Sequence, residues 1–389
     1  MSSVRRILDI ARREQRRILS RPIYIFSMVI APLIGFIFFT TLMREGLPCE
    51  LPAGVVDDDN TSVTREVIRN LDAMQQTHIV RHYGSVAEAR KAMQQGEIYA
   101  FYYIPEGTTQ LALSSKQPTV SFYTAPSYIV PASLEYRDMK MMSEYASAAI
   151  TRATLYAKGY TDAQAMAVLQ PIRCEMHAVN NPRLNYSVYL SNTILPGIIM
   201  LLIMQVTIYA IYVEIKEETS KEWMSMAGDD VVKALAGKLL PHLAIWMVMG
   251  ALCLMWLYGL WHFPLNSGVW PMALNMFLLI MASFAFAVFF CGCVPSLRWA
   301  LSLATLWGVL SFPISGFSFP QMAFPEPLRA LAHFFPLRHY FLIYVDQALN
   351  GLPLIYSWQD IAIQIAFLML PLLVLGRLKT FLLKYHYTR

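Results

Sequence analysis

Apolar positions along this chain follow two regimes. In one they run on without interruption, over Tyr24–Met43, Val188–Val213, Leu239–Leu260, Val269–Val294, Trp299–Phe317 and Ile361–Leu375. A bilayer core about 30 Å thick takes roughly 20 apolar residues per helix, so these runs predict six transmembrane helices. In the other regime, between residues 44 and 188, apolar residues are interspersed with polar ones as in a soluble domain. Ala53–Asp57 reads as a short buried strand, and Asp58-Asp59-Asn60 turns into a helix that Thr61 or Ser62 caps. Strands follow at 79–81, 98–104 and 120–123, helices at 85–95, 132–158 and 161–169, and a returning strand at 172–178. Strands alternating with helices predict an α/β layer.

Ahead of the first run, Val4, Ile7, Leu8, Ala11, Ile18 and Leu19 recur at helical spacing with arginines between them. That pattern predicts an amphipathic helix lying along the inner leaflet, its arginines at anionic headgroups and open to a cytoplasmic partner. The fold class is therefore an α-helical integral membrane protein with an N-terminal interfacial helix, six transmembrane helices and an inserted α/β extracytoplasmic domain. The segments are 1–22 for the interfacial helix, 23–43 for the first span, 44–188 for the periplasmic domain and 189–389 for spans two to six.

Charge sets the orientation. The chain is 56% hydrophobic and 15% charged, too little charge to cover a soluble protein of this length. Its net charge of +5 resides in short loops and tails. Arg5, Arg6, Arg12, Arg13, Arg16, Arg17 and Arg21 precede the first span; Lys216, Lys221, Lys233 and Lys238 follow the second; Arg377, Lys379, Lys384 and Arg389 follow the last. The loop Trp261–Gly268 has no Lys or Arg. The positive-inside rule then puts both termini in the cytoplasm and residues 44–188 outside, and the basic excess is a topology signal that implies no nucleic acid. The first apolar run is too long for a cleaved signal peptide, and Pro48 before Cys49 argues against a lipoprotein site. Cys49 and Cys174 flank the two stems of the outer domain, where an oxidising compartment makes them a candidate disulfide.

Catalytic signatures are absent. There is no HExxH, GxSxG or CxxC, and Gly237-Lys238 is followed by Leu239, with Val232 where a phosphate loop needs its first glycine. His78 and His82 lie in a strand pattern and make no metal site. The polar residues of the apolar runs, Asn192, Thr193, Gln205, His242, Asn275 and Gln364, read mostly as helix–helix hydrogen bonds. No acid or base stands in the apolar runs for ion coupling, so if the chain is a transporter its driving energy is expected from another subunit.

Two further segments stand out. Glu214–Trp223 is short, acidic and helical in pattern, with Trp223 as one large anchor, which suits a force-transmitting contact. Ser315–Tyr340 is apolar but broken by Pro320, Pro325, Pro327 and Pro336, so it reads as short helices at, or re-entering, the outer membrane surface over 317–345.

Four motifs together resemble the ABC type-2 exporter permease family, in the subgroup with a large extracytoplasmic domain between spans one and two. Val55-Val56-Asp57-Asp58-Asp59-Asn60 resembles its VVDxDxS opening, and Gly96–Ala100 with Ile104-Pro105-Glu106 its G-x-hydrophobic-x-A…I-P-x strand. Glu217–Glu222 resembles its E-x-G-T-x-E coupling segment, with Thr219 and Ser220 where the family usually has glycine and threonine. Ser315-Gly316-Phe317, Pro320, Pro325 and Phe335-Pro336-Leu337 resemble its SG…P…P…P-L-x-Y ending. The resemblance implies a non-enzymatic permease subunit in a bacterial inner membrane, moving a hydrophobic or amphipathic substrate outward. It implies a second permease, as homo- or heterodimer, and a separate ABC ATP-binding subunit that holds the ATP and Mg. It also implies work with a periplasmic adaptor and an outer-membrane channel. Spans one, two and five would line the route. ATPase coupling would fall to Glu214, Glu217, Glu218, Thr219, Ser220, Glu222 and Trp223 within 214–238, and an outer gate to Ser315, Gly316, Pro320, Pro325 and Pro336. The competing reading is a membrane-anchored receptor or scaffold whose outer domain binds a ligand or partner without transport. A membrane enzyme is disfavoured, since the outer domain offers no convergent acid, base and nucleophile.

Overall fold

A computed structural model describes residues 3–114, 116–125, 127–172, 175–177, 180–181 and 185–384. The chain divides into two compact units, one of residues 1–46 with 178–389 and one of residues 47–177.

In the first unit, α1 (Ser3–Ser20) leads into α2 (Pro22–Leu42). The 47–177 unit follows, with β1 (Leu51–Asp57), α3 (Ser62–Asp72), β2 (Thr77–His82), α4 (Val86–Gln95), β3 (Ala100–Ile104), α5 (Thr108–Leu113), β4 (Ser121–Thr124), α6 (Ile129–Ala157) and α7 (Asp162–Leu169). The first unit resumes with α8 (Tyr186–Lys216), α9 (Ser220–Met226), α10 (Val231–Leu260), α11 (Val269–Cys293), α12 (Leu297–Ile314), α13 (Glu326–Ala332), α14 (Pro336–Tyr344), α15 (Trp358–Phe367) and α16 (Leu375–Lys384).

Among the described residues, six helical segments are long and apolar enough to cross a membrane: α2, α8, α10, α11, α12 and Leu354–Leu373. The last is α15 flanked by single 3-10 turns at Leu354–Ser357 and Leu370–Leu373. Pro371 sits in the second turn, where it has no N–H to continue an α-helix. α8 and α11 are mostly buried and form the centre of the unit, while α2, α12 and the last segment leave long apolar faces uncovered. α8 packs against both α2 and α12. Small residues permit the approach: a Cβ on Gly308 of α12 would lie 2.3 Å from Leu201 Cδ1, and one on Gly35 of α2 3.5 Å from Ile198.

The 47–177 unit is a four-stranded sheet in the order β2-β1-β3-β4. β1 pairs parallel with β2 and β3, Ala53 opposite Ala100, and β4 runs antiparallel to β3. Alternation along the strands sorts two cores. Ala53, Val55, Ala100 and Tyr102 face α3 and α6 with Ile68, Leu71, Met139 and Met142, whereas Val56 and Phe101 face α4 with Ala89 and Ala92. Gly54 is required in β1, because a Cβ there would meet the Tyr83 ring at 2.6 Å. Thr61 caps α3 with a reciprocal pair to Thr64, and Gly96 ends α4 at φ +78°.

Two expectations are corrected. No strand forms at Ile172 or Glu175–His177. The third apolar helix begins at Val231, two turns before the uninterrupted run, because Asp230 caps it by accepting from the N–H groups of Val232 and Lys233. One apolar face of α1 packs on α10, where Ile10, Ala11 and Ile18 are buried and a Cβ on Gly237 would lie 2.8 Å from Ile10 Cβ, while Val4, Leu8 and Leu19 stay exposed. Of the candidate disulfide, Cys174 lies outside the described residues, and Cys49 Sγ sits 3.3 Å from Leu47 O.

Candidate functional site

Burying one face of α1 against α10 carries charge into the interior. Glu14 belongs to the same face as Ile10, Ala11 and Ile18, one and two turns apart, and is 1% exposed. Lys238 and His242 stand four apart on α10 and so share a face; both are fully buried. Lys238 Nζ lies 2.6 Å from Glu14 Oε2 and 2.8 Å from Glu214 Oε1, and His242 Nε2 lies 3.0 Å from Glu14 Oε1. Glu214 is the buried acid at the end of α8. It also takes Arg13 Nη1 at 2.7 Å, Arg17 Nη1 and the Thr219 hydroxyl.

The cluster continues outward as a ladder. Arg13, Arg17 and Arg21 recur every four residues, matching Glu214 in the last turn of α8 and Glu217 just past its end. Arg17 Nη2 reaches Glu217 at 2.9 Å and Arg21 Nη2 at 2.6 Å. Burial opposes ionisation of Glu14, but the His242 hydrogen bond and the Lys238 charge outweigh it and hold the carboxyl below its ordinary value. Lys238 also sits 5.0 Å over the Trp223 ring, and Trp223 Nε1 donates to Ala234 O at 3.2 Å. One lysine thus ties α1, α8, α9 and α10 together.

This corrects the expectation that the apolar helices hold no buried acid or base. Glu214 and Lys238 lie inside α8 and α10 near their ends, and His242 belongs to their network rather than to a simple helix–helix hydrogen bond. Of the other polar residues, Gln205 donates to Thr305 and Leu301 O of α12, Asn275 to Tyr340 O, and Gln364 to Asn275. Asn192 and Thr193 bond within their own helix.

The expected coupling residues separate into two sets. Glu214, Ser220 and Trp223 face inward and are buried, and Thr219 is half-buried against Glu214. Glu217, Glu218 and Glu222 stay exposed, and α9 is a helix only from Ser220 to Met226. The turn before it puts Glu218 at φ +60°, while Thr219 has φ −94°. The residue at the family's glycine position therefore needs no left-handed backbone and uses its hydroxyl to fasten Glu214.

The segment after α12 folds as two short helices. Ser315 is buried and donates to Phe312 O at 2.7 Å; Gly316 takes φ +104°. Pro320 and Pro325 are exposed ahead of a 3-10 turn and α13, and Pro336 is buried in the first turn of α14. Side chains that sequence reasoning did not single out hold this segment. His339, fully buried, reaches Asp360 Oδ1 at 2.7 Å and His333 O at 2.9 Å. Arg338 reaches His333 Nδ1 at 3.1 Å and Gln321 Oε1 at 2.5 Å. The only sequence signal for this set was two histidines and an arginine inside an apolar stretch.

A family model described as an ABC-2 family transporter protein matches residues 22–377. A comparison with curated proteins finds no match.

Proposed function

Because the chain belongs to the ABC-2 transporter family, of which membership implies a transporter membrane subunit and an ATP-binding partner, we propose that it is the permease subunit of an ATP-driven exporter. All six apolar segments cross the inner membrane, with both termini in the cytoplasm and the 47–177 unit outside. A separate subunit binds ATP and Mg, and its closure moves α1 and α9. The exposed edge of Glu217, Glu218 and Glu222 receives that push. The buried set of Glu14, Glu214 and Lys238 passes it to α8 and α10.

The observation that carries this reading is the buried ion cluster. A motion delivered at α9 reaches two membrane helices only if the parts are locked, and buried charge pairs break at high cost. The uncovered apolar faces of α2 and α12, with Ile34, Phe38, Leu306 and Val309 exposed, suit a second permease, and a route between the two copies would then have apolar walls. A hydrophobic or amphipathic substrate follows. The outer unit docks a periplasmic adaptor leading to an outer-membrane channel. The test is co-purification of the permease with an ATP-binding subunit, then ATP turnover in lipid. Glu218→Lys with Glu222→Lys lowers both while leaving the protein folded. Full binding and turnover by that variant would overturn the assignment of this edge.

A further inference from the structure

The strand order β2-β1-β3-β4 sends the chain from β1 to one side through α3 and returns it on the other through α4. In an open α/β sheet ligands sit beyond the carboxyl ends of the central strands, where the strand order reverses, and here the segments that follow β1 and β3 meet on one face of the sheet, with Thr61 Oγ1 2.8 Å from Thr109 Oγ1. β1 ends at Asp57 and β3 at Ile104. A cavity of about 600 Å3 opens beside these ends, within the size range of small-molecule sites.

Its wall is amphipathic. Val63 and Val67 of α3, Ile104, Val120, and Ile150 and Leu155 of α6 form an apolar floor. α6 buries no residue beyond Met142, and from there Ser143, Ala146, Ile150 and Thr154 continue one helical stripe along the cavity. Helix faces of this kind need a covering, and within the 47–177 unit this one faces a void. Lys116 and Lys158 border the void, and none of the described residues that line it is acidic. The Asp59 carboxylate, in the loop between β1 and α3, already accepts from the Thr109 N–H of α5 at 3.2 Å and from the Thr109 hydroxyl.

We propose that this cavity binds an amphipathic anion, an alkyl chain bearing a carboxylate or phosphate head, with the chain on the Val67–Ile150 floor and the head between Lys116 and Lys158. Two cations without a carboxylate select the anionic head, and the apolar floor selects the chain. The inference goes beyond transport: binding requires neither ATP nor a second subunit, so it stands or falls apart from the permease reading.

The test uses the full chain in lipid nanodiscs and a palmitate carrying a photoreactive diazirine. Cross-linked peptides are mapped by mass spectrometry. The expected label falls on peptides containing Val63–Val67 and Ala146–Leu155. Excess dodecanoate or dodecyl phosphate removes it, and dodecanol or inorganic phosphate does not. Lys116→Glu with Lys158→Glu weakens labelling about fivefold to tenfold, the effect of two partly exposed charge contacts. Ala146→Trp, which fills the cavity from a half-exposed position, abolishes it. Label confined to the long apolar helices, or cavity label unmoved by both variants, would overturn the proposal. Equal competition by dodecanol would remove the anionic head from it, and competition by inorganic phosphate alone would remove the chain.

Discussion

Replacing Lys238 by methionine keeps the side chain's stem and volume and removes only its charge. Glu14 and Glu214 are then left in the interior with less compensation. Glu214 retains Arg13 and Arg17, but among the described residues Glu14 keeps a single direct contact, His242 at 3.0 Å. Breaking a buried pair by removing one partner costs about 3–5 kcal/mol, because a desolvated charge remains. Protonation of Glu14 relieves part of that, so we expect the lower end, about 3 kcal/mol. The assay is thermal denaturation of the detergent-solubilised protein, read by tryptophan fluorescence, for Lys238→Met, Glu14→Gln and the double variant. Lys238→Met lowers the melting temperature by several degrees and exposes α1 to trypsin at Arg12 and Arg16. The double variant recovers much of the loss, with a coupling of about 1–3 kcal/mol. A Lys238→Met protein as stable as the parent, or a double variant with strictly additive loss, would refute the view that this lysine locks α1 to the membrane helices.

Other consequences follow from single contacts. A Cβ at Gly237 would lie 2.8 Å from both Ile10 Cβ and Ile7 O, so Gly237→Val undocks α1 at a cost of about 1–3 kcal/mol, seen as faster trypsin cleavage within 3–20. Glu135 is fully buried in α6 with neither carboxyl oxygen hydrogen-bonded, and burial together with Asp138 pushes its carboxyl up to about 8. The folded unit therefore binds one more proton than the unfolded chain between the ordinary value of about 4.3 and about 8, and its stability falls as pH rises through that window. Glu135→Gln removes the slope. The variant melts with the parent at pH about 4 and is more stable by about 2 kcal/mol at pH about 8, once water penetration is allowed for. Equal melting temperatures at both pH values would show that the carboxyl is solvated.

Local signals were legible in the sequence where a single element determined them. β1 and β3 stood out as short apolar runs bounded by Asp57 and Pro105, and Gly96 marked the end of α4. The short helix α5 was not visible, since Thr108–Leu113 has no periodicity long enough to register. Lys238 was read as loop because a charged residue interrupts an apolar window. Its partners Glu14 and Glu214 lie 224 and 24 residues away, and no local pattern reports a pairing that only the docking of α1 creates. Trp223 illustrates the same limit. An aromatic in an acidic turn marks an anchor without naming what it anchors to: its ring sits under Lys238 and its indole bonds α10. The His339–Asp360 pair likewise depends on α14 packing beside α15.

If an ATP-binding subunit moves the permease by acting on the Glu217–Glu222 edge, site-specific photocross-linking in native membranes captures the two in contact. A photoreactive amino acid replaces Glu222 in one variant and His82, an exposed residue of the 47–177 unit, in the other. Cross-links from position 222 to the ATP-binding subunit, with none from position 82, are the predicted result. Cross-links to that subunit from position 82 and none from 222 would contradict both the assigned contact edge and the orientation of the chain in the membrane.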